Sequence, residues 1–199
     1  MRSKKYIEIP RRRRQGKTDY RKRRGIVASK RNFLTVSISN KHIYGQIHRA
    51  SAKGDYTICS ASSSDLSDIG GWRGSPKNIP SAYLTGYLLG KRSLGKDLNS
   101  VVYYSGVASY IHGSRIASLV KGAKDAGLDI LVDDESLPDE SRTKGEHIMI
   151  YARKLESEDK KSFNHSFSKI LSSGFSPFDY ASQFEQTRKA IESRVATAS

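Results

Sequence analysis

Apolar residues recur with two different periods along this chain, and the switches between them mark out its elements. Phe33-Leu34-Thr35-Val36-Ser37-Ile38-Ser39 alternates strictly. Phe33, Thr35, Ser37 and Ser39 share one face, and Leu34, Val36 and Ile38 share the other, as a half-buried strand requires. Asn40-Lys41-His42 is a short polar turn. Ile43 to Ala50 then sets Ile43, Gly45 and Ile47 against Tyr44, Gln46 and His48. Lys53-Gly54-Asp55 is a second turn, and Tyr56 to Ser60 is a third strand. Turns this short make hairpins, so the three strands are predicted to form an antiparallel meander.

The period then lengthens. Ser62 to Lys77 is polar and Gly-rich around Trp72 and reads as a loop. A helix is predicted from Ile79 to Arg92, with Asn78 as N-cap and Pro80 in the first turn, where proline is tolerated. Val101 to Tyr104 is a fourth strand. Ser114 caps a second helix with Ile116, Leu119, Val120 and Ala123 at helical spacing, and Gly127 ends it. Leu128 to Val132 is a short fifth strand, and a further helix is predicted from Glu146 to Leu155. Ser157 to Ser173 is polar and shows no assignable period. Ser176-Pro177-Phe178-Asp179 has the form of a helix start. Phe178, Ala181, Phe184, Ile191 and Val195 then give a narrow apolar stripe suited to docking on a surface. There is no internal repeat. The order βββαβα predicts an α/β (α+β) fold, a mixed sheet with helices packed on it.

Charge changes this picture at one end. Residues 1–31 hold 14 of the 35 Lys+Arg but only two acids, Glu8 and Asp19. Of the net charge of +15, +12 therefore lies in the first 31 residues. A nearly neutral body carries a cationic arm, with Arg11 to Arg14 at its centre. Like charges at this density resist compaction and seek an anion array, most often nucleic-acid phosphate. Thr18 is the expected N-cap of a short arm helix beginning near Asp19-Tyr20. The predicted organisation is a basic arm over 1–31, a globular domain over 32–155 and an extension with one helix over 156–199.

Other chemistry is thinly represented. One cysteine, Cys59, excludes an internal disulfide and any multi-cysteine zinc site, and it suits core packing in a reducing compartment. No stretch approaches the roughly 20 apolar residues of a membrane span. The five histidines have no metal spacing. A ribonuclease-H-like nuclease has this strand order but needs carboxylates on its central strands, and Phe33–Ser39 and Val101–Tyr104 have none. Asp129, Asp133 and Asp134 read as a solvated loop. Gly86 to Ser93 misses phosphate-loop spacing by one residue. Gly70-Gly71-Trp72-Arg73-Gly74 suits either a phosphate cradle with Trp72 stacked on a base or a surface loop with Trp72 tucked in. Tyr6 and Tyr20 have no core to enter and are candidates for stacking on RNA. On residues alone, a metal-dependent nuclease and a nonspecific nucleic-acid module stay open beside a specific RNA binder.

Longer motifs carry a resemblance. They are Arg11-Arg12-Arg13-Arg14-x-Gly16-Lys17-Thr18-Asp19-Tyr20-x-x-Arg23, Ser39-Asn40-Lys41-His42, and Ser63-Ser64-Asp65-Leu66. Asn78-x-Pro80-Ser81-Ala82-Tyr83-Leu84-Thr85-Gly86 follows, then Gly122-Ala123-x-Asp125-Ala126-Gly127-Leu128-Asp129-Ile130 and Arg142-x-x-Gly145-x-His147-Ile148. In this order they resemble the family of universal large-subunit ribosomal protein eighteen in its archaeal form, whose eukaryotic counterpart is large-subunit protein five. The resemblance runs from about Lys5 to Ile150. It implies a non-enzymatic, cofactor-free, cytoplasmic constituent of the ribosome that binds 5S rRNA in the central protuberance. It also implies contacts with large-subunit rRNA and neighbouring ribosomal proteins, and neither a membrane nor a homo-oligomer. The RNA-binding positions it implies are Arg11, Arg12, Arg13, Arg14, Lys17, Thr18, Tyr20, Arg23 and Arg24. Asn40, Lys41 and His42 at the first turn, and Ser63 and Ser64 with Asp65 in the following loop, are further candidates.

Overall fold

A computed structural model describes residues 8–51 and 53–196. Tyr6 and the side chain of Val195 lie outside the described parts. Strands β1 (Asn32–Ile38), β2 (Ile43–Arg49), β3 (Tyr56–Ser62), β4 (Ser100–Tyr103) and β5 (Asp129–Ile130) form one sheet in the order β3-β2-β1-β4-β5. The first three are the antiparallel meander, and β4 and β5 add in parallel on the far side of β1. Helices α1 (Arg11–Arg14) and α2 (Tyr20–Ser29) precede the sheet. Helices α3 (Asp65–Gly70) and α4 (Ile79–Leu94) link β3 to β4, and α5 (Arg115–Asp125) links β4 to β5. Helices α6 (Glu140–Lys144), α7 (Glu146–Glu158), α8 (Lys160–Ser172) and α9 (Tyr180–Ala196) follow. The mixed α/β class and the antiparallel meander are as predicted.

The alternation decides which face of the sheet is covered. Leu34, Ile43, Ile47, Cys59, Ala61, Val101 and Ile130 point into one core. Both crossover helices lie on that face, because parallel strands need connections that pack back on the sheet. Gly45 leaves room there for side chains of Leu89 and Leu119, one from each helix. Asn78 and Ser114 cap α4 and α5 as predicted, accepting from the Ser81 and Ala117 N–H groups. From Pro80 to Gly90 every residue of α4 is buried. It is covered by the sheet on one side, α5 beside it, and α9 on the side away from the sheet.

Beyond β3 the structure differs from expectation in several places, among them α6, which was not predicted. The predicted loop at 62–77 contains α3, which buries Leu66 and ends on Gly71 in the left-handed region at φ 61°. Trp72 is buried against the edge of Tyr180, so the tucked reading holds and no base can stack on it. Residues 156–199 hold α8 as well as α9, one helix more than expected. Asp159 caps α8 by accepting from the Lys161 N–H at 2.9 Å, and Phe163, Phe167 and Ile170 give it an inward face. Ser176 opens a 3-10 turn that runs into α9. The buried stripe of α9 is Tyr180, Phe184, Thr187 and Ile191, rotated from the predicted one. The Thr187 hydroxyl donates to the Gly70 carbonyl, and the Tyr87 hydroxyl donates to Glu192, so α9 is stitched to α3 and α4.

Two glycines fix the spacing of α4 and α5. A Cβ on Gly86 would sit 1.9 Å from the Leu119 carbonyl oxygen, and one on Gly122 would sit 2.1 Å from that of Tyr83. Gly86→Ala and Gly122→Ala each add a methyl group where backbone already stands. Each is expected to lower the unfolding free energy by about 1–3 kcal/mol in urea denaturation, despite alanine's better helix propensity.

Candidate nucleic-acid interface

The arm is built in two short helical pieces. The four arginines of α1 form a single turn, so their guanidinium groups fan around its axis, and all four are exposed. Gly16, at φ 61°, turns the chain. Arg12 Nε donates to Thr18 Oγ1 at 2.8 Å. Thr18 is therefore not the N-cap of α2. Asp19 is, its Oδ1 accepting from the Arg21 N–H at 2.9 Å and the Lys22 N–H at 3.3 Å. A carboxylate caps this helix better than a hydroxyl because Arg21 to Arg24 crowd its positive N-terminal end.

Helix α2 is tied to the body. Arg23 donates two hydrogen bonds to Asp55, at 2.7 and 3.0 Å, the planar fork matching the carboxylate. The hydrogen bonds from Arg23 hold the Asp55 carboxyl below its ordinary range, and the same bonds raise the Arg23 guanidinium. Lys22 Nζ donates to the Gly106 carbonyl at 3.3 Å and to Ser105 Oγ at 3.4 Å. Asp55 closes the β2–β3 turn and Ser105 follows β4, so the two tethers fix the helix at separate points on the body. A groove of about 650 Å³ runs between α2 and β4, lined by Lys22, Arg31, Tyr103, Tyr104 and Ser105. Lys17, Arg21, Arg24, Lys30 and Arg31 remain exposed.

The second cluster of predicted residues lies at the other end of the strands. Asn40 and Lys41 are exposed at the β1–β2 tip. His42 is half-buried, its Nδ1 3.4 Å from Ser63 Oγ. Ser63 itself is only 2% exposed and accepts from the Ile43 N–H at 3.1 Å. It is a structural clamp between β2 and the chain after β3, not a surface contact. Ser64 is exposed, with its hydroxyl beside that of Ser62 at 2.8 Å. The structure thus joins Asn40–His42 to Ser63–Ser64 and separates both from the arm by the length of β1, about 20 Å. Arg23 is also withdrawn from direct contact, since Asp55 occupies its fork.

Between the clusters lies the sheet face that α4 and α5 leave uncovered. It presents Thr35, Ser37, Tyr44, Gln46, His48, Thr57 and Ser60. His48 is held by Thr35 Oγ1 at 2.9 Å and Thr57 Oγ1 at 3.1 Å, and burial pushes its pKa down. An irregularity in the β2–β3 ladder after Ile47 brings Thr57 opposite His48. Tyr44, 39% exposed, offers a ring for stacking on this face, whereas Tyr56, paired with Arg49, projects to the other. These residues were not singled out from the sequence, although the alternation of β2 marks Tyr44, Gln46 and His48 as the non-core face. Among the described residues, no three His, Cys, Asp or Glu side chains gather as a metal site.

The family model for ribosomal large subunit proteins 60S L5 and 50S L18 matches residues 4–108. A large ribosomal subunit protein uL18 from Methanothermobacter thermautotrophicus is 43% identical over 185 residues, 93% of this chain and 94% of its own. Those of Sulfurisphaera tokodaii and Saccharolobus solfataricus are 44% and 42% identical, covering 92% and 94% of this chain and 93% and 94% of their own. The chain belongs to the L5/L18 family of large-subunit ribosomal proteins. Like that family it is structural, not enzymatic, and it acts in translation as part of the cytoplasmic ribosome. A match over 185 residues runs past Ile150 into the segment that forms α8 and α9 in this chain. No helix among the described residues is long and apolar enough to cross a membrane.

The Arg23–Asp55 tether is testable. Asp55→Asn should cost under about 1 kcal/mol of global stability, because the pair is partly solvated. It should speed amide exchange across α2 far more than across β1 and β2. Since the folded carboxyl titrates below its unfolded value near 3.8, the tether is complete above that pH. It is lost as the pH falls through the lower folded value. Protection of the α2 amides relative to their intrinsic exchange rates should therefore stay constant down to about pH 4 and fall below it, and Asp55→Asn should abolish that fall.

Proposed function

We propose that this ribosomal protein binds 5S rRNA and helps anchor it in the central protuberance, with the arm as its main phosphate contact. The observation that carries the reading is the orientation of α2. Two of its cations are used as tethers to the body, and Arg21 and Arg24 face outward beside the four arginines of α1. Arginine suits this position because its fork binds phosphate bidentately and its plane stacks on bases. The hairpin tip at Asn40-Lys41 and the polar sheet face with Tyr44 extend the contact along the strands. They reach groups that charge alone does not select. Large-subunit rRNA and neighbouring ribosomal proteins are the remaining partners in this reading. A bare polycation would bind duplex DNA, transfer RNA and 5S rRNA nearly alike. The shaped face supplies the preference for one structured RNA.

Competition between 5S rRNA, transfer RNA and duplex DNA at fixed salt tests this. The 5S transcript should win by at least tenfold. If about eight phosphates are neutralised, log affinity should fall with log salt at a slope on the order of −6 to −7. Changing Arg11–Arg14 together to glutamine leaves both tethers of α2 in place. It should flatten the slope by about 3 and weaken binding severely. Equal affinity for all three nucleic acids, or an unchanged slope in that variant, would count against the proposal.

A further inference from the structure

The two edges of the sheet are treated oppositely. At β3 the outer carbonyls are covered by cations: Lys96 Nζ donates to the Ile58 carbonyl at 2.7 Å and Arg92 to that of Ser60 at 2.9 Å. Such caps keep another strand away. At β5 only Asp129 and Ile130 pair with β4, and Asp133, three residues on, is again extended, with φ and ψ of −63° and 132°. Exposure alternates over the whole run. Ile130 and Val132 turn toward the core, and Asp129, Leu131 and Asp133 turn outward. Leu131 is 96% exposed, a large apolar side chain left in water between two carboxylates. A groove of about 600 Å³ adjoins it, walled by Tyr110 and His112 of the loop after β4. On that loop Ile111 and Val107 are 65% and 56% exposed. Glu135 extends the acidic rim, while Asp134 is already paired with Lys124.

We propose that the β5 edge is a protein-docking surface that takes an extended segment of a basic protein, carrying an apolar residue flanked two positions away on each side by lysine or arginine. The pattern follows from the period of a strand. Asp129, Leu131 and Asp133 share one face, so an added strand meets them with cation, apolar residue and cation at every second position. The carboxylates exclude an RNA backbone from this edge, and the acidic rim complements a cationic protein. Arg31, the last residue of the arm, lines the far wall of the groove, but the proposal does not depend on the 5S reading.

The probe for the purified full chain is a capped peptide with the core Lys-Thr-Leu-Thr-Lys, and its control has glutamate for lysine. Hydrogen exchange should slow at least fivefold at residues 130–133 with the first peptide and not with the control. Leu131→Asp should weaken the effect at least tenfold, with thermal unfolding and 5S rRNA affinity unchanged. Protection by both peptides or by neither would overturn the proposal, as would Leu131-dependent dimerisation of the chain. A photo-crosslinking phenylalanine analogue at position 131, incorporated into large subunits, should react with a protein segment of the stated pattern. An adduct to rRNA, or none, would also overturn it.

Discussion

Backbone-to-backbone contact between α4 and α5, at Gly86 and Gly122, sets the distance at which two crossover helices can share one face of a five-stranded sheet. With the helices this close, both rest on the inner strands, meeting over Gly45. Helix α4 is then enclosed, and its side away from the sheet is available to α9. Every helix after α5 builds outward from that side. The opposite sheet face receives no crossover helix, since right-handed connections place both on the same side. Its polar lining is therefore a consequence of the packing. The main core lies on the other side, and on this face Phe33 alone of β1 is buried, against His48 and Tyr104.

The arm meets that face under an electrostatic handicap. Arg21, Lys22, Arg23 and Arg24 fill the first turn of α2, where the helix dipole disfavours positive charge. Asp19 offsets part of this through its cap. Asp55 offsets more by pairing with Arg23 across 32 residues of sequence. Neither interaction is strong in a partly solvated setting, and together they amount to about 1–2 kcal/mol. This suits a segment whose final geometry is set by its ligand. The helix is oriented enough to direct its cations outward, and weakly enough held to adjust on a polyanion. Two cations serve as tethers, so the local charge density on the outward side is lower than the sequence total suggests.

Much of this was legible in the residues. Strict alternation in β1 and β2 fixed both strands and the face each side chain takes, because period 2 leaves no freedom once one face is buried. Asn78 and Ser114 marked their helices through the capping chemistry they perform. What escaped notice had weak local signals and strong tertiary ones. Helix α3 buries a single leucine within a serine-rich run. Helix α8 carries Phe163, Phe167 and Ile170 among lysines, serines and histidine, with Leu171 left outside. Thr187 is buried although polar, because its hydroxyl reaches the Gly70 carbonyl and its methyl rests against that glycine. In the site, the cationic run located the arm, but no sequence rule tells which arginine will meet a carboxylate first. Arg23 found Asp55 through the fold, and Ser63 was drawn inward by the Ile43 N–H.

The distribution of charge over the finished surface makes a mechanical point. Bases gather at the arm on one side of β1, and acids gather beyond β4 at 129–135, across the sheet from the capped edge of β3. A uniformly basic protein of this size would be attracted to RNA in any orientation. One with an acidic edge is attracted in few, because turning that edge toward phosphate brings several carboxylates against it. The near-neutral body is thus a positive requirement. On the proposed reading it lets the arm dominate attraction, while the acidic edge disfavours approaches that bring phosphate against it.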